Sequence, residues 1–175
     1  VIVVGGGHAG VEAAIASSSL GCKTVLITPS IPKIAFMSCN PAMGGIAKGT
    51  LVREIDGLGG AAAQSADTTA LQFRMLNMKK GPAVWGPRVQ SDVNEYCLAQ
   101  TQKLREAGVQ IIESLVEKIN GPTDRVSGVL LSDGTDIRAE AVVLAAGTFL
   151  KGILHRGSRS WPGGRRGDVS ATSLE

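Results

Sequence analysis

Six residues near the start of the chain have the types and spacing of a phosphate-binding turn. The segment Gly5-Gly6-Gly7-His8-Ala9-Gly10 follows an apolar, β-branched run at residues 1–4. In this G-x-G-x-x-G spacing, Gly5 permits a tight turn, Gly7 lets the backbone approach a pyrophosphate, and Gly10 lets a helix pack closely on a strand. The pyrophosphate of a dinucleotide would then lie on unpaired N–H groups at the positive end of the helix.

The elements that must position this turn are a strand before it and a helix after it. Residues 1–4 predict a buried strand, and the Ala-rich residues 10–20 predict a helix that ends at Gly21. Residues 23–27 predict a second strand, which completes a β-α-β unit of the Rossmann type. Thr28 stands where many such proteins carry the acid that binds a ribose, which argues against a generic NAD site.

The rest of the sequence predicts a mixed α/β chain with a parallel sheet. Loops rich in Gly and Pro are expected at residues 28–45 and 79–87. Helices are predicted at residues 48–58, 69–78 and 89–107. Strands are predicted at residues 109–112, 115–119, 126–131, 136–138 and 141–145, with a hairpin turn at Asp133-Gly134.

Composition excludes several classes of protein. Hydrophobic residues make up 43% of the 175 residues and charged residues 19%, a balance that a disordered chain does not have. The 23 glycines have no three-residue period, which excludes collagen, and no apolar run is long enough for a membrane span. Three widely spaced cysteines without a CxxC pair predict neither a disulfide framework nor a zinc site, and they favour a reducing compartment.

Positive charge is concentrated at the end of the sequence. Residues 1–150 contain 13 basic and 13 acidic residues, so the net charge of +3 comes from residues 151–175. This segment is expected to be either a solvated tail or a phosphate-facing loop. Because the chain starts inside a predicted strand and stops shortly after a Gly-rich loop, we expect it to be the N-terminal part of a longer protein.

Three longer motifs, together with the Gly-rich turn, resemble one family of proteins over essentially the whole chain. They are Met37-Ser38-Cys39-Asn40-Pro41-Ala42-Met43-Gly44-Gly45-Ile46-Ala47-Lys48-Gly49, Lys80-Gly81-Pro82-Ala83-Val84-Trp85, and Ala146-Gly147-Thr148-Phe149-Leu150. The chain resembles the glucose-inhibited division protein A family, for which the Ser-Cys-Asn-Pro loop is specific. The threonine at position 28, in place of an acid, also resembles the pattern of this family.

The resemblance implies both a fold and an activity. The fold is an incomplete, Rossmann-like FAD-binding domain of the two-dinucleotide-binding flavoprotein type, with a parallel sheet and an inserted β-meander, which the hairpin at residues 126–138 resembles. The activity is FAD-dependent addition of a carboxymethylaminomethyl or aminomethyl group to carbon 5 of the wobble uridine of tRNA, together with a partner GTPase. A folate would supply the one-carbon unit and NADH would reduce the flavin. The full-length protein would be a homodimer without a membrane contact, in the bacterial cytoplasm or, in a eukaryote, in the mitochondrion.

The resemblance also divides the chain, which would be the N-terminal portion of an FAD-binding domain over residues 1–175. Its expected parts are a β-α-β start at 1–27, active-site loops at 28–88, a helix, meander and closing strand at 89–150, and a basic loop at 151–175.

Candidate site residues follow from the same resemblance. The FAD phosphate loop is matched by Gly5, Gly6, Gly7, His8, Ala9 and Gly10. Val116 matches a backbone contact to adenine, although its alternative is an ordinary core valine. Cys39 matches a cysteine proposed as a nucleophile toward uracil, because a thiolate that adds to carbon 6 makes carbon 5 nucleophilic; its alternative is a small apolar loop residue. His8 is open between acid–base work near pH 7 and a loop position beside the pyrophosphate.

The tail and the basic residues leave further alternatives. Residues 163–171 resemble a loop in which a serine contacts FAD, but Ala171 stands at that position, and Ser170 would replace it only if the loop shifts by one residue. Trp85 and Trp161 are open between packing and base stacking. Basic residues near the special loops are candidate tRNA contacts or solvated charges: Lys48, Arg53, Lys79, Lys80 and Arg88.

Two other functions compete with this interpretation. One is a folate- and FAD-dependent tRNA uridine methyltransferase, against which the loop at residues 38–41 argues. The other is a catalytically silent nucleotide-binding or interaction module. A flavin spectrum would separate the enzymes from the silent module, and the identity of the modified nucleoside would separate the two enzymes.

Overall fold

The computed structural model describes residues 1–165, 167–168, 171 and 174. The strands, in chain order, are β1 (Ile2–Val4), β2 (Val25–Thr28), β3 (Ala42–Gly44), β4 (Ala70–Leu76), β5 (Gly86–Ser91), β6 (Gln110–Glu113), β7 (Val116–Asn120), β8 (Gly128–Leu131), β9 (Asp136–Arg138), β10 (Val142–Leu144), β11 (Ile153–Arg156) and β12 (Arg159–Pro162). The α-helices are α1 (His8–Ser19), α2 (Lys48–Gly57), α3 (Ala62–Thr68) and α4 (Val93–Glu106). Arg166 and Ser170, which entered two sequence predictions, lie outside the described residues.

A four-stranded parallel sheet joins the start of the chain to strands from its second half. Its strand order is β10-β1-β2-β6, and every pair is parallel. An antiparallel sheet of order β3-β5-β4, an antiparallel meander β7-β8-β9 and a hairpin β11-β12 accompany it. The predicted mixed α/β fold with a parallel sheet and an inserted meander is therefore confirmed.

The short β1 separates two apolar clusters because successive strand residues face opposite sides of a sheet. Val3 and Leu26 pack with α1, α4 and the β3-β5-β4 sheet, where Val11 and Tyr96 are buried. Ile2 and Val4 pack on the other side with the meander, and Val116 belongs to that second cluster. The Gly-rich turn leaves β1 where these two clusters meet.

The predicted helix at residues 69–78 is wrong. Residues 70–76 form β4, which pairs antiparallel with β5, and the preceding helix α3 was not predicted. Leu, Gln, Arg and Met are good helix formers, so intrinsic propensity favoured a helix, but pairing with β5 overrides it. Exposure of residues 70–74 on both faces also removes the alternation that identifies a half-buried strand.

The helix predicted at 89–107 starts later than expected. Residues 86–91 form β5, and α4 begins at Val93 because the Asp92 side chain caps it. One Asp92 carboxylate oxygen accepts hydrogen bonds from the N–H groups of Asn94 at 2.8 Å and Glu95 at 3.0 Å. The strand before the cap supplies the central strand of the antiparallel sheet.

Two segments predicted as loops contain regular structure. Residues 28–45 include a 3₁₀ turn at Ile31–Lys33 and the strand β3. The expected basic loop contains the hairpin of β11 and β12, in which Arg156 lies opposite Arg159. The predicted hairpin turn between β8 and β9 is confirmed, with the Asp133 carboxylate accepting from the Thr135 N–H at 2.9 Å.

Candidate functional site

The Gly-rich turn connects β1 to α1 through three glycines with different surroundings. Gly5 has φ +111°, in the region that favours glycine, and its N–H donates to the Ile27 carbonyl at 2.8 Å. A Cβ on Gly10 would overlap the carbonyl oxygen of Gly5. A Cβ on Gly7 would meet no protein atom within 4 Å. Gly5 and Gly10 are therefore constrained by the fold, whereas Gly7 faces open space.

The beginning of α1 offers backbone donors to that open space. The first hydrogen bond within the helix runs from the Val11 N–H to the Gly7 carbonyl at 2.9 Å. The N–H groups of His8, Ala9 and Gly10 precede it and have no acceptor one turn earlier in the helix. No side chain caps this end of α1. Donors beside a glycine without a Cβ obstruction suit an anion such as a pyrophosphate.

Thr28 and Ala35 close the turn from the other side. The Ala35 N–H donates to the Gly6 carbonyl at 2.7 Å. A Cβ on Gly6 would lie 2.6 Å from the Thr28 hydroxyl oxygen, so Thr28 packs against the turn. The threonine at the end of β2 is thus part of the wall of the turn.

Cys39 lies on a loop that is anchored at both ends. Before it, Ala35 is bonded to the Gly-rich turn at 2.7 Å, and after it the Pro41 carbonyl accepts from the Ser91 N–H of β5 at 2.8 Å. The Cys39 side chain is exposed between these two anchors. The structure therefore holds the cysteine loop between the turn and the antiparallel sheet, with the thiol open to solvent.

The side chain of Val116 packs in the apolar core and is not exposed to a ligand. Val116 starts β7 with 6% of its surface exposed, in the apolar cluster that contains Val4 and Ile27. Val4 and Ile27 pair across the adjacent strands β1 and β2, so the Val116 side chain belongs to the apolar core on one face of the parallel sheet. The backbone of Val116, and not its buried side chain, is therefore the part that would contact a cofactor.

His8 is half-buried against Tyr96, with 5.7 Å between the ring centroids. Burial and the nearby Lys48 ammonium lower the pKa of His8 below 6.5, which keeps the ring neutral at neutral pH. Its Nε2 atom and the hydroxyl of the fully buried Tyr96 have no hydrogen-bond partner among the described residues. His8 is thus poised as a neutral group beside the turn and is poorly suited to carry a positive charge there.

Two contacts near the site were not predicted from the sequence. The Glu12 carboxylate of α1 accepts from the Ala61 and Ala62 N–H groups, at 3.1 Å and 2.8 Å, and so joins the turn's helix to the start of α3. Arg165 lies 5.2 Å from the ring centres of both Phe36 and Phe149. Both contacts link segments that are far apart in the chain, and no local sequence pattern predicts them.

Arg165 also takes part in an ion-pair network. Its Nε lies 3.2 Å from an Asp168 oxygen, and the other Asp168 oxygen pairs with the Lys33 ammonium. This network joins the tail to the segment that precedes the cysteine loop. Asp168 belongs to the same segment as Arg165 and is shared with Lys33, so the network fixes the position of Arg165 without changing the net charge of the tail. Ala171, at the position compared with a flavin-contacting serine, bonds instead to Phe149 through its N–H at 3.0 Å.

Neither a metal site nor a membrane-spanning helix is found in the part of the chain that the structure describes. No group of three or more His, Cys, Asp or Glu residues is arranged to hold an ion there. No helix there is both long and apolar enough to cross a bilayer.

Comparison with known proteins decides the family. A profile of the family described as glucose inhibited division protein A matches residues 1–175. The chain belongs to this family. The tRNA uridine 5-carboxymethylaminomethyl modification enzyme MnmG of Flavobacterium psychrophilum is 51% identical over 177 residues, which cover 99% of this chain and 28% of that protein. The protein of the same name from Protochlamydia amoebophila is 48% identical, again over 99% of this chain and 28% of its own length.

Solved structures of the family have the same fold. Aquifex aeolicus GidA in its form II crystal superimposes with a TM-score of 0.91 at 42% identity, over 98% of this chain and 29% of that chain. A GidA-related protein from Thermus thermophilus gives a TM-score of 0.69 at 21% identity and shares the fold alone. The chain spans about 28% of the length of the curated relatives it matches.

Proposed function

We propose that the chain binds FAD at the Gly-rich turn and that the protein modifies carbon 5 of uridine in tRNA. The observation that carries the first half is the open space at Gly7 beside the free N–H groups that begin α1. These are the features that a pyrophosphate requires. The second half is supported by the relatives, which are named as tRNA uridine 5-carboxymethylaminomethyl modification enzymes.

The residues around the turn would divide the work of holding the cofactor. The backbone of residues 5–10 would bind the pyrophosphate, and the backbone of Val116 would contact the adenine from the neighbouring strand β7. Thr28 would offer one hydroxyl near the ribose side of the turn. Bound FAD would supply the redox chemistry of the reaction, which no side chain of this site provides.

Cys39 would act on the tRNA rather than on the cofactor. Its exposed thiol lies on a loop anchored to the Gly-rich turn, so a flipped uracil could meet the thiol beside the flavin site. Addition of the thiolate to carbon 6 of uracil would make carbon 5 nucleophilic toward the one-carbon unit, and loss of the carbon 5 proton would then expel the thiolate and restore the 5,6 double bond. The neutral His8, also beside the turn, would leave the positive charge of this region to Lys48.

The proposal extends to the partners implied by the family resemblance. They are a GTPase that acts with the enzyme, a folate as one-carbon donor, NADH as reductant of the flavin, and a second copy in a homodimer. Work on tRNA in the bacterial cytoplasm, or in the mitochondrion of a eukaryote, belongs to the same proposal.

Cofactor binding is tested by titrating FAD into the purified chain and following flavin fluorescence. Gly7→Val should weaken FAD binding roughly 100-fold, about 3 kcal/mol, because the side chain occupies the space of the pyrophosphate. Gly57→Val is the matched control, since a Cβ there also meets no atom within 4 Å but lies on α2, away from the turn. FAD affinity at the wild-type level in Gly7→Val would falsify the assignment of the turn.

The role of Cys39 is tested on the tRNA of cells that carry the gene. Cys39→Ala should abolish the carboxymethylaminomethyl nucleoside at the wobble position, measured by mass spectrometry, while FAD binding persists. Cys22→Ala is the control because Cys22 is exposed too but lies in the turn after α1. Undiminished modification with Cys39→Ala rejects the nucleophile, and loss of 5-methyluridine instead would select the methyltransferase alternative.

A further inference from the structure

The strongest feature that the proposed function gives no specific role is a basic surface on the β4–β5 ribbon, defined as β4, the connecting residues 77–85 and β5. Its basic residues are Arg74, Lys79, Lys80 and Arg88. Residues 68–91 contain no Asp or Glu, so this segment carries more positive charge than the net +3 of the whole chain. Asp92, which follows, is committed to capping α4.

The register of the ribbon places its two arginines side by side. Arg74 pairs with Arg88 across the strands, and Gln72 pairs with Gln90. These four residues share one face, because alternate residues of a strand point to the same side. The opposite face carries Val89, which is buried in the core. At β5 this opposite face is directed toward the core, whereas on β4 Phe73, the partner of Val89, keeps 61% of its surface exposed.

Two like charges directly opposite each other in a sheet destabilise it unless an anion lies between them. In the ion pairs found among the described residues, Asp168 is the acid and Lys33 and Arg165 are the bases. Neither Arg74 nor Arg88 forms an ion pair there. On the adjacent strand β3, the neighbour of Arg88 is Gly44, which places no side chain beside it. The arrangement leaves room for an anionic group on two guanidinium groups.

The end of the ribbon adds an aromatic ring that is held in place. The Trp85 Nε1–H donates to the Met78 carbonyl at 3.3 Å, and the Asn77 amide donates to the Val84 carbonyl at 3.3 Å. Trp85 nevertheless keeps 40% of its surface exposed. Lys79 and Lys80 are exposed on the 3₁₀ turn next to it. An ordered, half-exposed indole among cations is the combination on which unpaired bases stack.

The polar face also starts at the cysteine loop. Pro41 accepts from Ser91, and Ala42 then pairs with Gln90 at the beginning of the face. From Gln90 to Gly86 the strand runs about 13 Å at ~3.3 Å per residue, away from Cys39 and toward Trp85. The ribbon face thus begins next to the cysteine loop and extends toward Trp85.

We propose that the polar face of the β4–β5 ribbon binds single-stranded RNA beside the nucleotide that is modified. Arg74 and Arg88 together hold one backbone phosphate, Trp85 stacks on a base, and Lys79 and Lys80 attract the strand. The proposal rests on the function proposed above, since it concerns the same substrate, and it assigns residues that bind rather than react.

The test is fluorescence anisotropy of a short fluorescein-labelled oligouridylate titrated with the full chain. The double variant Arg74→Gln with Arg88→Gln should weaken binding roughly tenfold and lower the slope of log K against log salt by about 0.7, the value for one single-strand phosphate contact. The single variant Arg74→Gln, on an exposed side chain, should weaken binding roughly threefold, as the loss of part of that contact.

A matched control exists on the hairpin β11-β12. Arg156 and Arg159 are also paired across strands, so Arg156→Gln with Arg159→Gln removes the same charge from the same arrangement. Its affinity should stay within about twofold of the wild type, because only general attraction is reduced. Equal losses in the two double variants, or none in either, overturn the proposal.

The ring and the class of partner are tested separately. Trp85→Leu should weaken RNA binding several-fold without changing the salt slope, because stacking releases no counterions. Polyglutamate at equal charge should compete weakly with the RNA. Equally strong competition overturns the RNA assignment in favour of an acidic protein partner.

FAD titration of the same variants separates this proposal from the proposed function. Ribbon variants that bind FAD normally but bind RNA more weakly support both the RNA surface and the cofactor site. Wild-type RNA affinity in the ribbon variants, with normal FAD binding, overturns the surface and leaves the cofactor site standing. RNA binding that depends on the ribbon in a chain that binds no FAD overturns the cofactor site alone.

Discussion

The Gly-rich turn and the β4–β5 ribbon are both suited to anions, but they achieve this by opposite means. The turn uses backbone N–H groups and the absence of side chains, and three of its four glycines, Gly5, Gly6 and Gly10, are enclosed by the protein. The ribbon uses side-chain charge, and its strand β4 is exposed over residues 70–74. Close steric contacts determine the backbone conformation of the turn, whereas the pairing register of β4 and β5 determines which charged side chains of the ribbon lie together.

This difference determines how each region should respond to substitution. A side chain at an enclosed glycine of the turn, such as Gly10, disturbs a close backbone contact, so it should cost stability whether or not a ligand is present, whereas a side chain at Gly7 should cost ligand affinity alone. A change on the ribbon removes a charge that has no partner among the described residues, so it should cost ligand affinity and leave stability equal or higher. Four substitutions test this division, from the largest expected effect to the smallest.

Gly10→Ala should have the largest effect on stability. Its Cβ overlaps the Gly5 carbonyl, and no side-chain rotation relieves an overlap with backbone. We expect the free energy of unfolding to fall by about 3 kcal/mol, near the upper end for an overpacked core. Urea denaturation measures it. Gly7→Ala is the control, because its Cβ meets no atom, and it should unfold like the wild type. Equal stability of the two variants would contradict the steric account.

Glu12→Ala should have the next largest effect. The carboxylate accepts from the N–H groups of Ala61 and Ala62, and its loss leaves these donors partly buried without an acceptor. A hydrogen bond to a charged group contributes about 1.5–3 kcal/mol, so we expect a loss of about 2 kcal/mol in urea denaturation. Glu54→Ala, at an exposed position of α2, should change stability by less than about 0.5 kcal/mol. A loss with Glu54→Ala as large as that with Glu12→Ala would show that this contact does not matter.

Arg74→Glu should act in the opposite direction. It converts a pair of like charges across β4 and β5 into a pair of opposite charges with Arg88. Opposite charges in this position contribute roughly 0.2–1 kcal/mol, so the chain should become about 0.5 kcal/mol more stable while RNA binding falls. Gln72→Glu places the same charge opposite Gln90 and should give little stability. A less stable Arg74→Glu chain would mean that Arg74 has a structural role.

Sequence reasoning succeeded for the turn because its constraints are local. The order strand, three glycines, helix requires a steep turn, and the positive φ of Gly5 and the tight packing at Gly10 are the physical forms of that spacing. The meander was also predicted, because the Asp133-Gly134 turn is a local signal. In both places the residues that determine the structure are neighbours in the chain.

Sequence reasoning failed where the determining partner is distant. Residues 70–76 became a strand because β5 lies beside them, and the pairing of Arg74 with Arg88 exists only in that register. Counting net charge along the chain pointed to residues 151–175. The ribbon's charge was hidden in the count because acids elsewhere in residues 1–150 balance it.

The smallest expected effect concerns the pH dependence of stability at His8, which lies within the turn. Burial and the Lys48 charge lower its pKa in the folded chain, whereas the unfolded chain binds the proton near pH 6.5. Below that pH the unfolded state holds more protons than the folded state, so the free energy of unfolding should fall as pH falls until it passes the folded pKa.

His8→Asn should flatten the free energy of unfolding between pH 6.5 and the folded pKa, because asparagine does not titrate there. The measurement is urea denaturation at a series of pH values. His155→Asn is the control, since His155 is exposed on β11, and it should leave the slope unchanged. Because an ammonium contributes to the shift, Lys48→Gln should reduce the slope without abolishing it, since burial is the larger cause. If the free energy of unfolding still falls with pH in His8→Asn, another group causes the pH dependence. The histidine of the turn would then not lower the stability of the folded chain. The turn would then differ from the β4–β5 ribbon in its sterics alone.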